Sequence, residues 1–266
     1  MFARSAKNSV KNIHYRLIRF ADWFSQFWRP LIYVGDELHG KYALIKSEGV
    51  KLFLRKNSID KYIFWEIFKM DAYTDDNFSI KKNDTIVDIG AQAGIFSVFA
   101  ANIAKNGHVY SFEPFKSNYE LLLKNKKINN FRNIHAFNLG VTGNSEKTRL
   151  YVSETNTGGH SVIWKNSGDF VEINTTTLSD ILRTTGKIDY LKIDAEGSEY
   201  EILLNTPKNA MKKIMKVSLE YHDFFDKTQS YRDLVNFFKK NGFKTKIKNV
   251  FLGRVLFKTG LIKAYK

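Results

Sequence analysis

The most constraining feature of the chain is the segment TIVDIGAQAGIFSVFAA at residues 85–101. It opens with an apolar run typical of a buried strand, passes through a turn with two glycines and ends in apolar and small residues that predict a helix. Units of this kind build α/β folds with a parallel sheet, whose ligands lie beyond the carboxyl ends of the strands. The segment therefore predicts an α/β domain with a ligand site beside its glycine turn.

The chain from residue 85 onwards repeats this pattern of strands and helices. Short apolar runs predict strands at 85–89, 108–112, 134–138, 190–193 and 216–220, and helices are predicted at 94–105, 116–128, 178–183, 199–204 and 231–240. For the last helix, Ser230 is the predicted N-cap, with Asp233 at the third position and Gly242 just past the end. The ending FKTKIKNVFLGRVLFK predicts two strands joined tightly. A mostly parallel sheet that finishes in an antiparallel hairpin follows.

Three segments stand outside this repeat. Residues 1–40 form a basic N-terminal segment, and residues 41–80 form a lead-in that predicts a hairpin at 42–54 and a helix from Ser58. The main domain covers 81–266 and carries an insertion at 141–177, in which short strands are expected at 148–152 and 171–175. An insertion of that length in a compact domain is often a functional lid.

The N-terminal segment predicts an amphipathic helix that ends near Trp28, before Pro30. Lysines and arginines occupy most of the opposite face, and Trp23 flanks the apolar stripe. Such a helix either packs on the domain or lies on an anionic membrane surface through residues 1–35. The stripe consists of Val10, Ile13, Leu17, Phe20, Phe24, Phe27 and Leu31.

Charge and composition limit the partners and the compartment. The formal net charge is +15, and residues 239–266 hold nine lysines and arginines and no acid. Basic ends favour anionic partners, although a solubilising surface explains them equally well. The absence of cysteine excludes disulfides and thiolate metal sites and suits a reducing compartment. We expect no secretory signal and no membrane span, and hence a cytoplasmic protein, with peripheral attachment to the inner membrane face as an extension.

The glycine turn does not follow the dinucleotide fingerprint. Reading from Gly90 gives G-A-Q-A-G-I, so the second and third glycines of G-x-G-x-x-G are missing. The pattern present is Asp88, Gly90 and Gly94, with a carboxylate at the end of the strand. Because that carboxylate would repel a pyrophosphate, an NAD-dependent oxidoreductase is disfavoured.

A second acid completes a different cofactor pocket. Glu113 follows the next strand and can accept both hydroxyls of a ribose. S-adenosylmethionine offers a ribose to Glu113 and cationic groups to Asp88, and its carboxylate suits the helix start after Gly94. We therefore predict S-adenosylmethionine as cofactor, bound by Asp88, Gly90, Gly94, Glu113 and Asn138. A turn-capping Asp88 and a surface Glu113 are the structural alternatives.

The remaining strand ends supply the candidates for catalysis. Methyl transfer from a sulfonium to a hydroxyl depends mainly on alignment and benefits from a base. Asp194 has the best position, and His222 has the ordinary pKa best suited to neutral pH. Glu196 and, if the insertion folds over the site, His160 are further candidates. Asp194, Glu220 and His222 could serve as hard metal ligands, but no compact spacing supports an ion, so no metal is predicted.

Five segments in order resemble the FkbM family of S-adenosylmethionine-dependent methyltransferases. They are TIVDIGAQAGIFSVFAA, VYSFEPFKSNYELLLKN, NTGGHSVIW, TTTLSDIL and LKIDAEGSEYEIL, and the similarity covers roughly residues 51–257. SFEP and KIDAEGSE are the diagnostic parts, while Ala91-Gln92 stands where the family often has Ala-Asn. The resemblance implies the class I methyltransferase Rossmann-like fold, with a seven-stranded sheet and an antiparallel last strand, and it gives Asp194 the place of the acid in the KIDxEG motif.

The resemblance further implies an O-methyltransferase acting on a hydroxyl of a sugar, glycan or glycolipid precursor. An RNA ribose methyltransferase stays open because of the net charge. The chain has only three prolines, Pro30, Pro114 and Pro207, and lacks the Asn/Asp-Pro-Pro-aromatic motif of base methyltransferases. Nucleic acid is therefore disfavoured as a partner, and so is a non-enzymatic membrane module, because Asp88, Glu113 and Asp194 are all present.

Overall fold

The computed structural model describes residues 37–75, 78–152, 161–162, 169–223, 229–248 and 259–266, with the backbone alone for 37–39. The predicted N-terminal helix and His160 lie outside these residues. The described strands are β1 Glu37–His39, β2 Tyr42–Ser47, β3 Val50–Arg55, β4 Thr85–Ile89, β5 His108–Phe112, β6 Ile134–Phe137, β7 Gly140–Val141, β8 Thr148–Tyr151, β9 Phe170–Ile173, β10 Thr175–Thr176, β11 Tyr190–Ile193, β12 Lys216–His222, β13 Lys244–Lys248 and β14 Thr259–Tyr265. The described helices are α1 Asp60–Phe68, α2 Ile95–Ile103, α3 Lys116–Ile128, α4 Leu178–Thr185, α5 Glu199–Leu204, α6 Lys208–Met211 and α7 Tyr231–Lys240.

Seven strands form the central sheet in the order β13-β14-β12-β11-β4-β5-β6. The pairs from β12 across to β6 are parallel, and β14 runs antiparallel to both of its neighbours. The strand order reverses beside β4, because the chain moves first towards β6 and then returns to β11. Ligands of open α/β sheets bind in the crevice at such a reversal.

Alternation along the strands divides the core between the two faces of the sheet. In β4, Ile86 packs with the lead-in segment, α2 and α3, while Val87 and Ile89 pack with α4, α5 and α7 on the other face. A row of buried polar side chains crosses the sheet on the lead-in face, one from each of five neighbouring strands. The row is Ser111, Asp88, Lys192, Ser218 and Lys263.

The lead-in segment packs against this first face. Strands β1, β2 and β3 form a small antiparallel sheet, and Phe64 and Phe68 of α1 enter the same core as Phe96 and Phe99 of α2. Asn125 of α3 accepts a hydrogen bond from the Phe53 amide at 2.7 Å and donates to the Phe53 carbonyl at 3.1 Å. The lead-in therefore docks on the sheet close to the β4–α2 turn.

The insertion and the last hairpin differ from the prediction in detail. The insertion contains the antiparallel pair β8 and β9, together with a short parallel pair between β7 and β10. The second strand predicted within 243–258 lies outside the described residues. The described partner of β13 is Thr259–Tyr265, in which Leu261, Ile262 and Ala264 are buried and pair with β12. The capping box of Ser230 and Asp233 is present as predicted.

Within the part of the chain that the structure describes, no helix has the length and apolar character needed to cross a bilayer.

Candidate active site

A cavity opens at the carboxyl edge of the sheet, at the reversal of strand order. Its walls come from the β4–α2 turn, α1, the loops after β5 and β11, the end of β12, and Leu150 and Val162 of the insertion. Polar side chains cluster on two sides of this cavity. One group surrounds the turn, and the other lies at the ends of β11 and β12. The polar lining residues are Tyr62, Glu66, Tyr73, Gln92, Glu113, Asn118, Thr142, Lys192, Asp194, Glu196, Ser198, Glu220 and His222.

Gly90 brings the turn into contact with the end of β11. Its φ is +74°, and a Cβ atom at this position would lie 1.8 Å from the carbonyl oxygen of Asp194. The Gly90 and Ala91 amides donate to the Phe112 carbonyl at 3.1 and 3.0 Å. The sequence indicated that Gly90 admits a ligand, and the structure adds that Gly90 lets the β4 turn meet the β11 loop.

Glu113 lines the cavity and is held from several directions. Its Oε2 accepts the Gln92 amide at 2.8 Å, and its Oε1 accepts the Phe115 amide at 2.8 Å and Nδ2 of Asn118 at 3.4 Å. Burial raises the pKa of Glu113 to about 7, although the hydrogen bonds from Phe115, Gln92 and Asn118 act in the opposite direction. The carboxyl group is thus fixed in place and poised between its two charge states near neutral pH.

A closed circuit of hydrogen bonds connects Glu113 to the lead-in segment. The Arg55 guanidinium contacts Asp60 at 2.9 and 3.0 Å and donates to Oδ1 of Asn118 at 2.6 Å. Nε2 of the Gln92 side chain donates to Oδ1 of Asp60 at 3.2 Å, and the backbone amide of Gln92 donates to Oε2 of Glu113. Asp60 is fully buried. The lead-in therefore orients both the turn and the acid that follows β5.

Asp88 lies beneath the turn and does not line the cavity. Its carboxylate is fully buried, 3.1 Å from Nζ of Lys192, and it accepts the Ser97 hydroxyl at 2.6 Å. Alternation along β4 directs the Asp88 side chain to the face covered by α2, where it joins the polar row. This placement differs from the expected one beside the ligand, and direct contact between Asp88 and a cofactor stays a prediction.

Gly94 and Asn138 also lie outside the cavity lining. Gly94 caps α2 with φ +75°, and a Cβ atom there would lie 2.7 Å from Cγ of Leu122, so the glycine permits α2 and α3 to pack closely. Nδ2 of Asn138 donates to the carbonyls of Glu113 and Pro114 at 2.8 and 2.9 Å. Asn138 thereby holds the loop that presents Glu113, and its role as a cofactor ligand stays a prediction.

Asp194 and Glu196 both line the cavity. The chain leaves β11 at Ile193, and Glu196 adopts a φ of +48°. Glu199, fully buried in α5, accepts the amides of Ala195 and Gly197 at 2.9 and 3.1 Å and so fixes this tight loop. The Ser161 hydroxyl of the insertion donates to the Glu196 carbonyl at 2.6 Å.

His222 lies at the end of β12, facing the same loop. Its Nδ1 is 3.1 Å from Oε1 of Glu199, and its Nε2 is 3.8 Å from Oε2 of Glu196. Burial alone would lower the pKa of His222, but the charge and hydrogen bond of Glu199, with the charges of Glu196 and Glu220, raise it well above its ordinary value. The predicted candidates Asp194, Glu196 and His222 are thus brought together.

Several carboxyl groups crowd the side of the cavity at the ends of β11 and β12. Burial, together with the charge of Asp194, raises the pKa of Glu196 and of Glu220 to about 8 and that of Glu66 to about 7. The Tyr73 hydroxyl lies 3.5 Å from Oδ2 of Asp194 and 3.4 Å from Oε2 of Glu220. Glu196 and Glu220 therefore retain their protons near neutral pH, beside the Asp194 carboxyl group.

Several residues of this site were missed at the sequence level. Glu66 and Tyr73 belong to the lead-in, whose docking over the strand ends no local pattern indicates. Lys192 occupies a buried strand position where an apolar residue is expected. Gln92 and Asn118 are polar residues beside a recognised motif, and this proximity was the one signal that could have found them.

The sheet order, the antiparallel β14 and the cavity beside β4 define a class I methyltransferase. A model of the FkbM methyltransferase domain matches residues 88–245, more than half of the chain. The chain belongs to the FkbM methyltransferase family, as the resemblance predicted, and it is a methyltransferase.

Two curated relatives share part of this sequence. Methyltransferase sdnD of Sordaria araneosa is 26% identical over 210 residues, which cover 66% of this chain and 80% of that protein. AMB antimetabolite synthetase AmbE of Pseudomonas aeruginosa is 23% identical over 230 residues, which are 71% of this chain and 11% of AmbE. The chain therefore corresponds to a small portion of AmbE and to most of sdnD.

Two solved structures share the fold. FkbM methyltransferase of Methylobacillus flagellatus KT superimposes with a TM-score of 0.50 at 18% identity, over 70% of this chain and 44% of that one. The fibrillarin pre-rRNA processing protein of Methanococcus jannaschii gives a TM-score of 0.50 at 16% identity, over 86% and 95% of the two chains. At these identities the likeness supports the fold alone.

Proposed function

We propose that this protein is an S-adenosylmethionine-dependent O-methyltransferase that acts on a hydroxyl of a sugar, glycan or glycolipid precursor. The observation that carries the proposal is the two-sided cavity. Glu113 and the β4–α2 turn form one side, and Asp194, Glu196, Glu220 and His222 form the other. A cofactor and an acceptor placed on these two sides would meet over the end of β4.

The turn side suits the cofactor. Glu113 can accept the ribose hydroxyls while its other contacts keep it oriented, and the α2 N-terminus beside Ile95 and Phe96 can receive the carboxylate of the amino acid portion. The acid after β5 and the N-terminus of α2 both belong to the fold shared by methyltransferases, which supports S-adenosylmethionine as the methyl donor. The chemistry that the bound cofactor supplies is an electrophilic methyl group on a sulfonium.

The acceptor side suits a hydroxyl. Asp194 is partly exposed to the cavity, and Tyr73 and Lys192 hold it from behind, so its carboxylate can accept the hydroxyl proton as the new O–C bond forms. A general base of this kind contributes roughly a hundred- to ten-thousandfold in rate. His222 and Glu196 lie within the same cluster and can orient the acceptor.

The charge of the cavity bears on the two alternatives. An RNA substrate would bring phosphates close to the Asp194 carboxylate, which like charge disfavours, although the net charge of +15 favours RNA elsewhere. An NAD-dependent reaction has no support, because the turn lacks the dinucleotide fingerprint. A sugar hydroxyl brings no negative charge and fits best.

The proposal is tested with the purified full chain and methyl-labelled S-adenosylmethionine on fractionated cell glycans, lipids and RNA. Label in glycan or lipid supports the acceptor class, and label in RNA alone overturns it. Calorimetry with S-adenosylhomocysteine tests the cofactor separately, and absence of binding would reject it.

Asp194→Asn tests the acceptor side, since it keeps the size of the side chain and removes its charge. We expect methyl transfer to fall at least a hundredfold, with S-adenosylhomocysteine affinity retained within about twofold, because the interaction is used in the transition state. Glu120→Gln removes an exposed carboxylate on α3 and serves as the matched control. Unchanged turnover in Asp194→Asn would reject Asp194 as the base.

A further inference from the structure

We propose that Asp194, Glu196 and His222 bind a divalent cation, which holds the acceptor of the proposed methyl transfer. The inference rests on the proposed function for the role of the ion, but the ion site itself stands on the geometry of these residues. No local spacing in the sequence indicates it, because the three ligands come from the loop after β11 and the end of β12.

The three side chains converge on one point. One oxygen of each carboxylate and one nitrogen of the imidazole all lie within 4.8 Å of one another. Ligands at about 2.1–2.3 Å from an ion place opposite donors roughly 4.2–4.6 Å apart, so small side-chain rotations close this arrangement around a cation. All three residues line the cavity, which gives the ion a path of entry and leaves room for an acceptor.

The orientation of His222 provides an independent argument. Glu199 lies outside the set of three, is fully buried and sits 3.1 Å from Nδ1 of the imidazole, while Nε2 faces Glu196. A carboxylate on one ring nitrogen directs the other nitrogen and increases its basicity, and metal-binding histidines almost always donate their second nitrogen to a carboxylate, a backbone carbonyl or water. The same Glu199 accepts the amides of the loop that carries Asp194 and Glu196. One buried acid thus organises all three ligands.

The ammonium group of Lys192 is directed mainly at the glycine turn and not at the three ligands. It lies 3.1 Å from Asp88 and donates to the Gly90 carbonyl at 2.9 Å, but it is 3.8 Å from Asp194. The proposed ligands therefore keep space for a cation on their cavity side. Because a divalent ion binds deprotonated ligands, its binding would release any protons that the three side chains carry.

The donor set suggests which ions fit. Carboxylate oxygens suit Mg²⁺ and Mn²⁺, while an imidazole nitrogen favours transition metals, so Mn²⁺ satisfies both kinds of ligand. Three protein ligands leave open positions, which two neighbouring oxygens of a sugar could occupy. The ion would take one carboxylate oxygen of Asp194 and leave the other to accept the hydroxyl proton. It would also fix the acceptor hydroxyl in line with the methyl group and lower the pKa of that hydroxyl.

The test is calorimetry with MnCl₂ on the full chain after removal of adventitious metal, with and without MgCl₂ as competitor. We expect one Mn²⁺ per chain, and affinity lower by roughly tenfold or more in Glu196→Gln and in His222→Gln. Glu120→Gln should leave the affinity unchanged. Pulsed electron paramagnetic resonance on the Mn²⁺ complex should show coupling to an imidazole nitrogen, which His222→Gln abolishes.

Absence of Mn²⁺ binding, or binding that both variants retain, would overturn the ion site. Thermal unfolding of each variant without metal shows whether it is folded, so that a collapsed variant does not imitate a lost ligand. S-adenosylhomocysteine binding is measured in parallel. If S-adenosylhomocysteine binds and Mn²⁺ does not, the ion site fails while the proposed function stands. If Mn²⁺ binds and S-adenosylhomocysteine does not, the proposed function fails and the ion site stands.

Discussion

Two separate steric effects oppose a side chain at position 90, one from the backbone conformation and one from contact with Asp194. Their effects on the free energy of unfolding can be measured separately. Alanine at this position would need a left-handed backbone and would place its Cβ 1.8 Å from the Asp194 carbonyl. Gly242, just past the end of α7, also has a positive φ, +83°, and a Cβ atom added there would meet nothing within 4 Å, so Gly242→Ala measures the backbone cost alone, about 1–2 kcal/mol. We expect Gly90→Ala to lower the free energy of unfolding by about 1–3 kcal/mol more than Gly242→Ala, as overpacking does. Urea denaturation of both variants measures the difference, and equal losses would contradict the contact.

Glu113 makes cofactor binding sensitive to pH. The raised pKa of about 7 favours the protonated acid in the free protein, whereas ribose hydroxyls bind the carboxylate. Affinity for S-adenosylhomocysteine should therefore rise with pH through about 7 and level off above it, with a slope of up to about tenfold per pH unit below. Calorimetry across this range checks the expectation.

The matched variant for this effect is Glu113→Gln. This variant should bind S-adenosylhomocysteine weakly at every pH, and its affinity should not increase near pH 7.

The folding stability contributed by Glu113 depends on pH in the opposite direction. Because burial raises the pKa, the stability contributed by protonated Glu113 is complete below about pH 4.5 and is lost as pH increases through about 7. A wild-type affinity that is the same at pH 6 and pH 8 would show that Glu113 is not the ribose ligand.

At the scale of elements, the lead-in segment supports the site from outside the methyltransferase sheet. Arg55 of β3 connects Asp60 and Asn118, and through them Gln92 and Glu113. Arg55→Lys keeps the positive charge but loses the planar guanidinium group that contacts both Asp60 and Asn118. We expect S-adenosylhomocysteine affinity to fall several-fold. Calorimetry measures it, with Arg132→Lys, outside this circuit, as control. Equal affinity in the two variants would mean that the circuit is structural only.

Most elements of the sheet could be predicted from the sequence, because buried parallel strands are continuous apolar runs between helices of the right length. The bounds of β4, β5, β11, α3, α5 and α7 agree with the prediction. The second hairpin strand was predicted within VFLGRVLFK, which lies outside the described residues. The described partner of β13 is TGLIKAY, which also pairs with β12.

The site was predictable only in part. Glu113, Asp194 and His222 were found because they follow strands whose carboxyl ends share one edge. The direction of the Asp88 side chain depends on strand alternation and on the packing of α2. Its partner Lys192 is 104 positions away along the chain, so no local sequence pattern indicates this ion pair. The contributions of Glu66 and Tyr73 depend on how the lead-in docks, which is set by long-range packing.

At the scale of the whole molecule, the two ends of the sequence are basic, whereas carboxyl groups line the cavity. Six lysines and arginines lie within residues 1–35, which the structure does not describe, and nine lie within 239–266. Each such charge near an anionic bilayer is worth about 1 kcal/mol, so we expect the full chain to float with anionic liposomes at low salt. Lys7→Glu with Lys11→Glu should weaken flotation, and so should added salt. Charge reversal at Lys82 and Lys105 is the control, and a wild-type protein that stays in solution at low salt would reject membrane attachment.

The contact between Gly90 and Asp194 has a consequence for how the two substrates bind. The Asp194 amide donates to the Ile89 carbonyl at 3.1 Å, and Nζ of Lys192 donates to the Gly90 carbonyl at 2.9 Å, so the β4 turn and the β11 loop are joined directly. In the proposed function the first loop receives the cofactor and the second faces the acceptor, so a shift of one loop upon binding would displace the other. We therefore expect each substrate to change the affinity for the other, and thermodynamic reciprocity would make the two factors equal.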